Sequence, residues 1–296
     1  DSSLRNGVEY VTKGAFHVDE TLLTKIKRLT DIFKPEHLVS KDSHRTSVHV
    51  HRNVLELTVL EVWTILAAGW LSENLLLKYC GDDREGNLFC LRLKDAEAVM
   101  TFVTKDLESD NTPFLMLDTD NIRYASQNLS AIPQYGSIEY RAMRGTIDPD
   151  IIHTWGTNLY EMGEGARGVF HSPEELLDFY FKNGYKRTLA VFFKEPFLSY
   201  LLNIKKGDDL VEEAALNMTN FAYTVDWNKY NEKVTLIQER YKVKPPEVAL
   251  NSRWAAVAAE VQNRWPSPEI ALSAPRVRAR AVNPAVAAPT RSFTVD

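Results

Sequence analysis

With 296 residues, 44% of them hydrophobic, the chain can bury a sizeable core as one large domain or two small ones. A formal net charge of -5 and a pI near 5.9 argue against a general nucleic-acid binder. Only two cysteines are present, Cys80 and Cys90, without a C-x-x-C, which suits free thiols in a reducing compartment while leaving one bridge open. No long apolar run or basic-then-apolar leader occurs, so the expectation is a soluble, cytoplasmic protein.

In chain order, Asp1 to Thr12 reads as a turn leading into a strand, Val8 to Thr12, with the carboxylates of Asp1 and Glu9 flanking its start. Asp19 is placed to cap a helix whose Leu22, Leu23, Ile26, Leu29 and Phe33 recur at helical spacing, ended by Pro35. Thr46 to Arg52 alternates with the two-residue period of a strand, His49 and His51 on one face and Val48 and Val50 on the other. Paired strand histidines suit a metal or a phosphate as well as a structural role.

Thr58 and Glu61 make an S/T-x-x-E capping box for a helix over Val59 to Tyr79. That helix is apolar on nearly every face, so it belongs in the centre of a domain, with Trp63 and Trp70 as core rather than stacking platforms. A charged loop follows, then a short strand-like run, Leu88 to Leu93, and a helix from Ala96 to about Leu107 for which Asp95 is the expected cap. Arg123 to Ser130 leads into a further strand, and Pro133 and Gly136 mark the turn after it.

Ser137 to Met143 again alternates, so Glu139 and Arg141 project together while Ile138, Tyr140 and Ala142 take the other face. An isolated E-x-R is ordinarily the wet face of a strand. A second strand carrying two histidines on one face turns the reading towards a site, with Arg141 and Arg144 as phosphate-binding cations. Asp148-Pro149 and Ser172-Pro173 open two capped helices, and helical pattern continues to about Val243. Lys205-Lys206-Gly207 is a turn. From Pro245 the composition shifts: seven of the thirteen prolines lie beyond residue 244, and Ser273 to Asp296 carries four arginines without any hydrophobic period. That tail is expected to be disordered, or ordered on a protein partner or a second copy of the chain. There is no internal repeat, P-loop, G-x-G-x-x-G or G-x-S-x-G.

His49-Val-His51 followed by Gly136-Ser-Ile-Glu-Tyr-Arg141 resembles the carboxylate–amine ligase superfamily of glutamine synthetase and gamma-glutamylcysteine synthetase. More closely, the sequence is similar to the amidoligases of phage and bacterial genomes. Asp1 to Thr12, Thr46 to Asn53, Tyr79 to Asp95 and Arg123 to Trp155 carry the likeness, in that order, out to about Tyr160. The resemblance implies an α+β fold: a curved antiparallel sheet of glutamine-synthetase type with helices on its outer face, plus a helical C-terminal part. It implies an amidoligase domain over 1–244, followed by a Pro/Ala-rich basic tail over 245–296. Members of the family carry a glutamate-rich E-x-E strand ahead of the segment matched by Asp1, and this sequence begins after it.

The implied activity is ATP-dependent amide formation between a carboxylate and an amine, with Mg2+ or Mn2+. By similarity, Asp1, Glu9, His49 and Glu139 would be metal ligands. Arg141 would meet the transferred phosphoryl group, with Glu139 beside it, and His51, Arg123 and Arg144 would contact the nucleotide phosphates. Two alternatives stay open: a non-catalytic phage structural or binding protein retaining the fold, and a metal-dependent hydrolase.

Overall fold

The structure, a computed structural model, describes residues 10–12, 14–32, 45–109, 111–230, 233 and 236–242. Asp1, Glu9, the boundary at 244/245 and the basic tail lie outside the described residues, which all fall within the compact unit Asp1–Trp265. The architecture is α+β: a small antiparallel sheet with helices packed against it.

The helix α2, Val59–Cys80, is the spine of the core. Its start is fixed by the expected capping box: Thr58 Oγ1 accepts from the Glu61 N–H at 3.1 Å and Glu61 Oε2 accepts from the Thr58 N–H at 2.8 Å. Almost every residue from Val62 to Leu77 is buried, Trp63 and Trp70 included, so α2 has neighbours on all sides. No helix among the described residues is long and apolar enough to cross a membrane.

Three strands make the sheet: β1 (Ser47–Asn53), β2 (Gln127–Asn128) and β3 (Ser137–Arg144), in the order β1-β3-β2, antiparallel throughout. Val48 pairs with Met143 and Val50 with Tyr140, so Arg141 and Ala142 together stand opposite His49. This bulge bends β3 beside the candidate site. The apolar face of β3 packs on α2, and β1 packs on α5, Pro149–Val169. Asp148 caps α5 as expected, accepting from the N–H groups of Asp150 and Ile151. Ser172 likewise caps α6, Pro173–Asn183. The other α-helices up to Tyr223 are α1 (Leu22–Thr30), α3 (Glu97–Glu108), α4 (Ala131–Tyr135), α7 (Tyr185–Phe192), α8 (Phe197–Leu202) and α9 (Gly207–Tyr223), of which α9 packs on α2 and α7 on α5.

A buried ion network ties these layers together. Arg52, next to His51 on β1, reaches Glu164 of α5 at 2.7 Å and the Tyr160 carbonyl at 2.6 Å. Arg167 joins Glu164 at 2.7 Å to Glu61 of α2 at 2.9 Å. The guanidinium of Arg52 fits because residue 163 is glycine: a Cβ there would stand 2.3 Å from Arg52 Nη1.

Several local expectations are corrected. Tyr10–Thr12 form no strand and are exposed. The helix Leu22–Thr30 starts without a side-chain cap, because the Asp19 carboxylate is used in a turn, accepting from the Thr21 N–H and hydroxyl. Leu88 to Leu93 is loop apart from a single parallel bridge, Leu91 to Ala125. Asp95 does not cap Glu97–Glu108; Arg92 takes its carboxylate at 2.6 Å. Between β2 and β3 the turn is a one-turn helix, Ala131–Tyr135, closed by Gly136 in the left-handed region at φ 69°. Cys80 and Cys90 are buried free thiols.

Candidate functional site

Glu139, in the middle of β3, is the centre of the site. Only 6% of its surface is exposed, so it is not a solvated strand charge. His49 Nδ1 lies 2.9 Å from its Oε1, and Arg141 Nη1 donates to the same oxygen at 2.8 Å. His51 Nε2 stands 3.7 Å from Oε1. Asn128 of β2 donates to Oε2 at 2.5 Å. Both flanking strands thus converge on one carboxylate, and the facing anticipated for His49, His51, Glu139 and Arg141 is the facing observed.

Burial alone would raise the pKa of Glu139. The His49 hydrogen bond, the Arg141 charge and the Asn128 amide outweigh it and hold the carboxyl at about 2, so Glu139 is ionised at neutral pH. Ser47 and Ser137 steady the imidazoles, Ser47 Oγ at 2.7 Å from His49 Nε2 and Ser137 Oγ at 2.9 Å from His51 Nδ1. Of the two rings His51 is the more open, with its side chain 45% exposed and Tyr135 edge-on to it at the rim.

Arg141 is pinned a second time by the Phe89 carbonyl at 3.4 Å. Its guanidinium lies 5.9 Å from the ring centre of Tyr124, while that of Arg123 lies over the same ring at 4.7 Å. Arg123 also donates to the Tyr124 hydroxyl at 2.6 Å. Tyr124 packs edge-on against Phe89, and Arg45 sits over Phe89 at 5.8 Å. The mouth of the site therefore collects three guanidiniums and two aromatic rings, a surface suited to anions and planar groups.

Arg144 does not join this group. At the end of β3 it donates to the carbonyls of Tyr79 and Cys80, both at 3.1 Å, and so satisfies the C-terminus of α2. Asn128, Ser47, Ser137, Tyr124, Phe89 and Arg45 join the site without a motif that marks them in the sequence. Asn128 follows from strand pairing, since it is the register partner of Glu139. Ser47 and Ser137 share the strand faces of His49 and Glu139 through the same two-residue period, and Tyr124, Phe89 and Arg45 depend on loop paths that no periodicity encodes.

The described residues do not make a metal site by themselves. Both Glu139 oxygens and both His49 nitrogens are engaged by protein groups. No set of three or more His, Cys, Asp or Glu among the described residues is arranged to hold an ion. What the arrangement offers is a fixed anion flanked by imidazoles and guanidiniums, with an excess of cations at its mouth. Comparison with protein-family models, with curated proteins and with solved structures finds no match to this chain.

Proposed function

We propose that the chain is an ATP-dependent carboxylate–amine ligase of the acyl-phosphate type, with a sheet of glutamine-synthetase type. The observation that supports it most is the convergence of His49, His51, Glu139 and Arg141, from strands far apart in sequence, on one side of the sheet. These are four of the residues expected at the site, and nothing in the distance between the two strands along the chain requires them to meet. Asp1 and Glu9 lie outside the described residues, and Arg144 turns to the end of α2.

ATP would supply the phosphoryl group that activates the carboxylate, its phosphates held by Arg123, Arg141 and the exposed His51. Arg141 is half of an ion pair and is anchored by a carbonyl, so its guanidinium is positioned before a ligand arrives and loses little freedom on binding. Glu139 orients Arg141 and His49 through short contacts. Tyr124 and Phe89 shield the guanidiniums from water on one side, which strengthens their pull on a phosphoryl oxygen. The expected divalent ion, Mg2+ or Mn2+, would need ligands beyond those described or a Glu139 released from its present donors.

That engagement of Glu139 favours the second reading, a non-catalytic protein that retains the fold. Phosphate release from ATP, measured with the purified chain against panels of carboxylates and amines with Mg2+ and with Mn2+, separates the two. Release that requires both substrates is expected; nucleotide bound without turnover would support the non-catalytic reading, and neither binding nor release would reject the ligase.

A further inference from the structure

The sheet carries a second polar layer on its back. Asn128 and Glu139 are register partners facing the candidate site, and the adjacent partners, Gln127 and Tyr140, face the opposite way, towards α2. There they line a cavity of about 20 Å3 together with Gly69, Glu73, Ser126 and Trp155. Its other walls are apolar, among them Leu76 and Leu77.

Four polar atoms on three of these side chains are buried without a hydrogen-bond partner: both amide atoms of Gln127, the Tyr140 hydroxyl and the Trp155 indole nitrogen. Each such group costs about 1–3 kcal/mol when it leaves water unpaired, so four of them around one cavity is not a neutral arrangement. Gly69 makes the room, in the interior of a helix where glycine is otherwise unfavourable: a Cβ at that position would stand 2.3 Å from Gln127 Oε1.

We propose that this cavity is a binding site for a single water molecule that bridges Gln127, Tyr140 and Trp155. The size fits, since one water needs roughly 10–15 Å3 measured in this way. The chemistry fits as well. The indole N–H and one Gln127 N–H can donate to the water, and the Gln127 carbonyl and the Tyr140 oxygen can accept from it, which fills its four hydrogen-bonding positions. The Ser126 hydroxyl and the Leu93 N–H already donate to the Glu73 carboxyl, so the bridge is built on the other three side chains. The guest would be part of the support of the site, because Gln127 adjoins the Asn128 that holds Glu139.

A crystal structure of the full chain that resolves ordered solvent, with 17O water relaxation dispersion in solution, tests this. The expected result is one water within hydrogen-bonding distance of the Gln127 amide and of Tyr140 or Trp155, with a long-lived component in the dispersion. An empty cavity, or a Gln127 amide turned to bond a protein group, would overturn it. Gly69→Ala should expel the water and its dispersion component. Tyr140→Phe adds no volume, and removing one hydrogen bond should shorten the residence time by about fivefold. An unchanged residence time in Tyr140→Phe would count against the site as built.

Discussion

Glu73→Gln should remove a pH dependence of stability that the wild-type chain carries. Glu73 lies in the middle of α2, 6% exposed, with its carboxyl bonded by Ser126 and by the Leu93 N–H. Burial pushes the carboxyl up from an ordinary 4.5 to about 7, and the two hydrogen bonds, which favour the ionised form, offset only part of that. The folded protein therefore keeps a proton that the unfolded chain has released. The associated stability is complete below about pH 4.5 and is lost as pH rises through about 7. At roughly 1.4 kcal/mol per pH unit, the wild type should lose up to about 3 kcal/mol across that window relative to a residue that cannot ionise. Glutamine is close to isosteric: its carbonyl can accept from Leu93, and its amide can donate to a Ser126 hydroxyl turned to accept. Urea unfolding of both proteins at several values between about pH 5 and 8 gives the difference directly, with other titrating groups cancelling between them. Parallel pH profiles would refute the reasoning, because they would mean that Glu73 ionises in the folded state as easily as in the unfolded chain.

Three further outcomes follow from the packing and the site. On the proposed ligase reading, Arg141→Ala should lower ATP-dependent turnover by about 100-fold or more and should also lower the melting temperature, because it takes one partner from the buried Glu139 carboxylate. Arg141→Lys should recover part of the stability without restoring turnover, since a point charge cannot reproduce the paired contacts of a guanidinium; normal turnover in either variant would remove Arg141 from the proposed mechanism. Gly163→Ala drives a methyl group into the Arg52 guanidinium and should destabilise the fold by about 1–3 kcal/mol in chemical denaturation, while an unchanged midpoint would mean that the Arg52 network yields without cost. Thr58→Ala removes one half of the α2 capping box and should cost about 1 kcal/mol by the same measurement, with a neutral result showing that burial alone fixes the start of that helix.

The parts of the fold that were legible in the sequence are those whose determinants are local. Thr58, Asp148 and Ser172 cap helices as read, because each has its partner within three residues. Asp19 and Asp95 carry the same signal but do not cap: Thr21 and Arg92 compete for their carboxylates, and a cap preference says nothing about such competitors. The run Leu88 to Leu93 has strand composition but makes only one bridge, since strand formation needs a neighbour that the composition cannot name. At the site, the two-residue period placed His49, His51, Glu139 and Arg141 correctly. It could not reveal that Asn128 closes on Glu139, nor that Arg144 turns to the end of α2, because both depend on register and helix position.

Each strand at the site also does two things with neighbouring residues. On β1, His51 faces Glu139 while Arg52 plunges into the ion network with Glu164. On β3, Glu139 gathers the cations while Tyr140 lines the cavity behind. On β2, Asn128 holds Glu139 while Gln127 meets Gly69. A strand cannot rotate one residue without rotating the next, so the front of the sheet inherits the precision of the polar layer at its back. A substitution at Gln127, Arg52 or Gly69 should therefore shift Glu139 and Arg141 although it touches neither, and on the proposed reading it should weaken nucleotide binding measured by calorimetry. An apolar back layer would secure the same strands against the core without directional bonds; here Arg52 is tied to Glu164 and the Tyr160 carbonyl, while at Gln127 and Tyr140 the direction would come from the water proposed above. The directional layer costs stability when any one member is left unpaired, and it gives Glu139 a fixed position from which to orient Arg141 and His49.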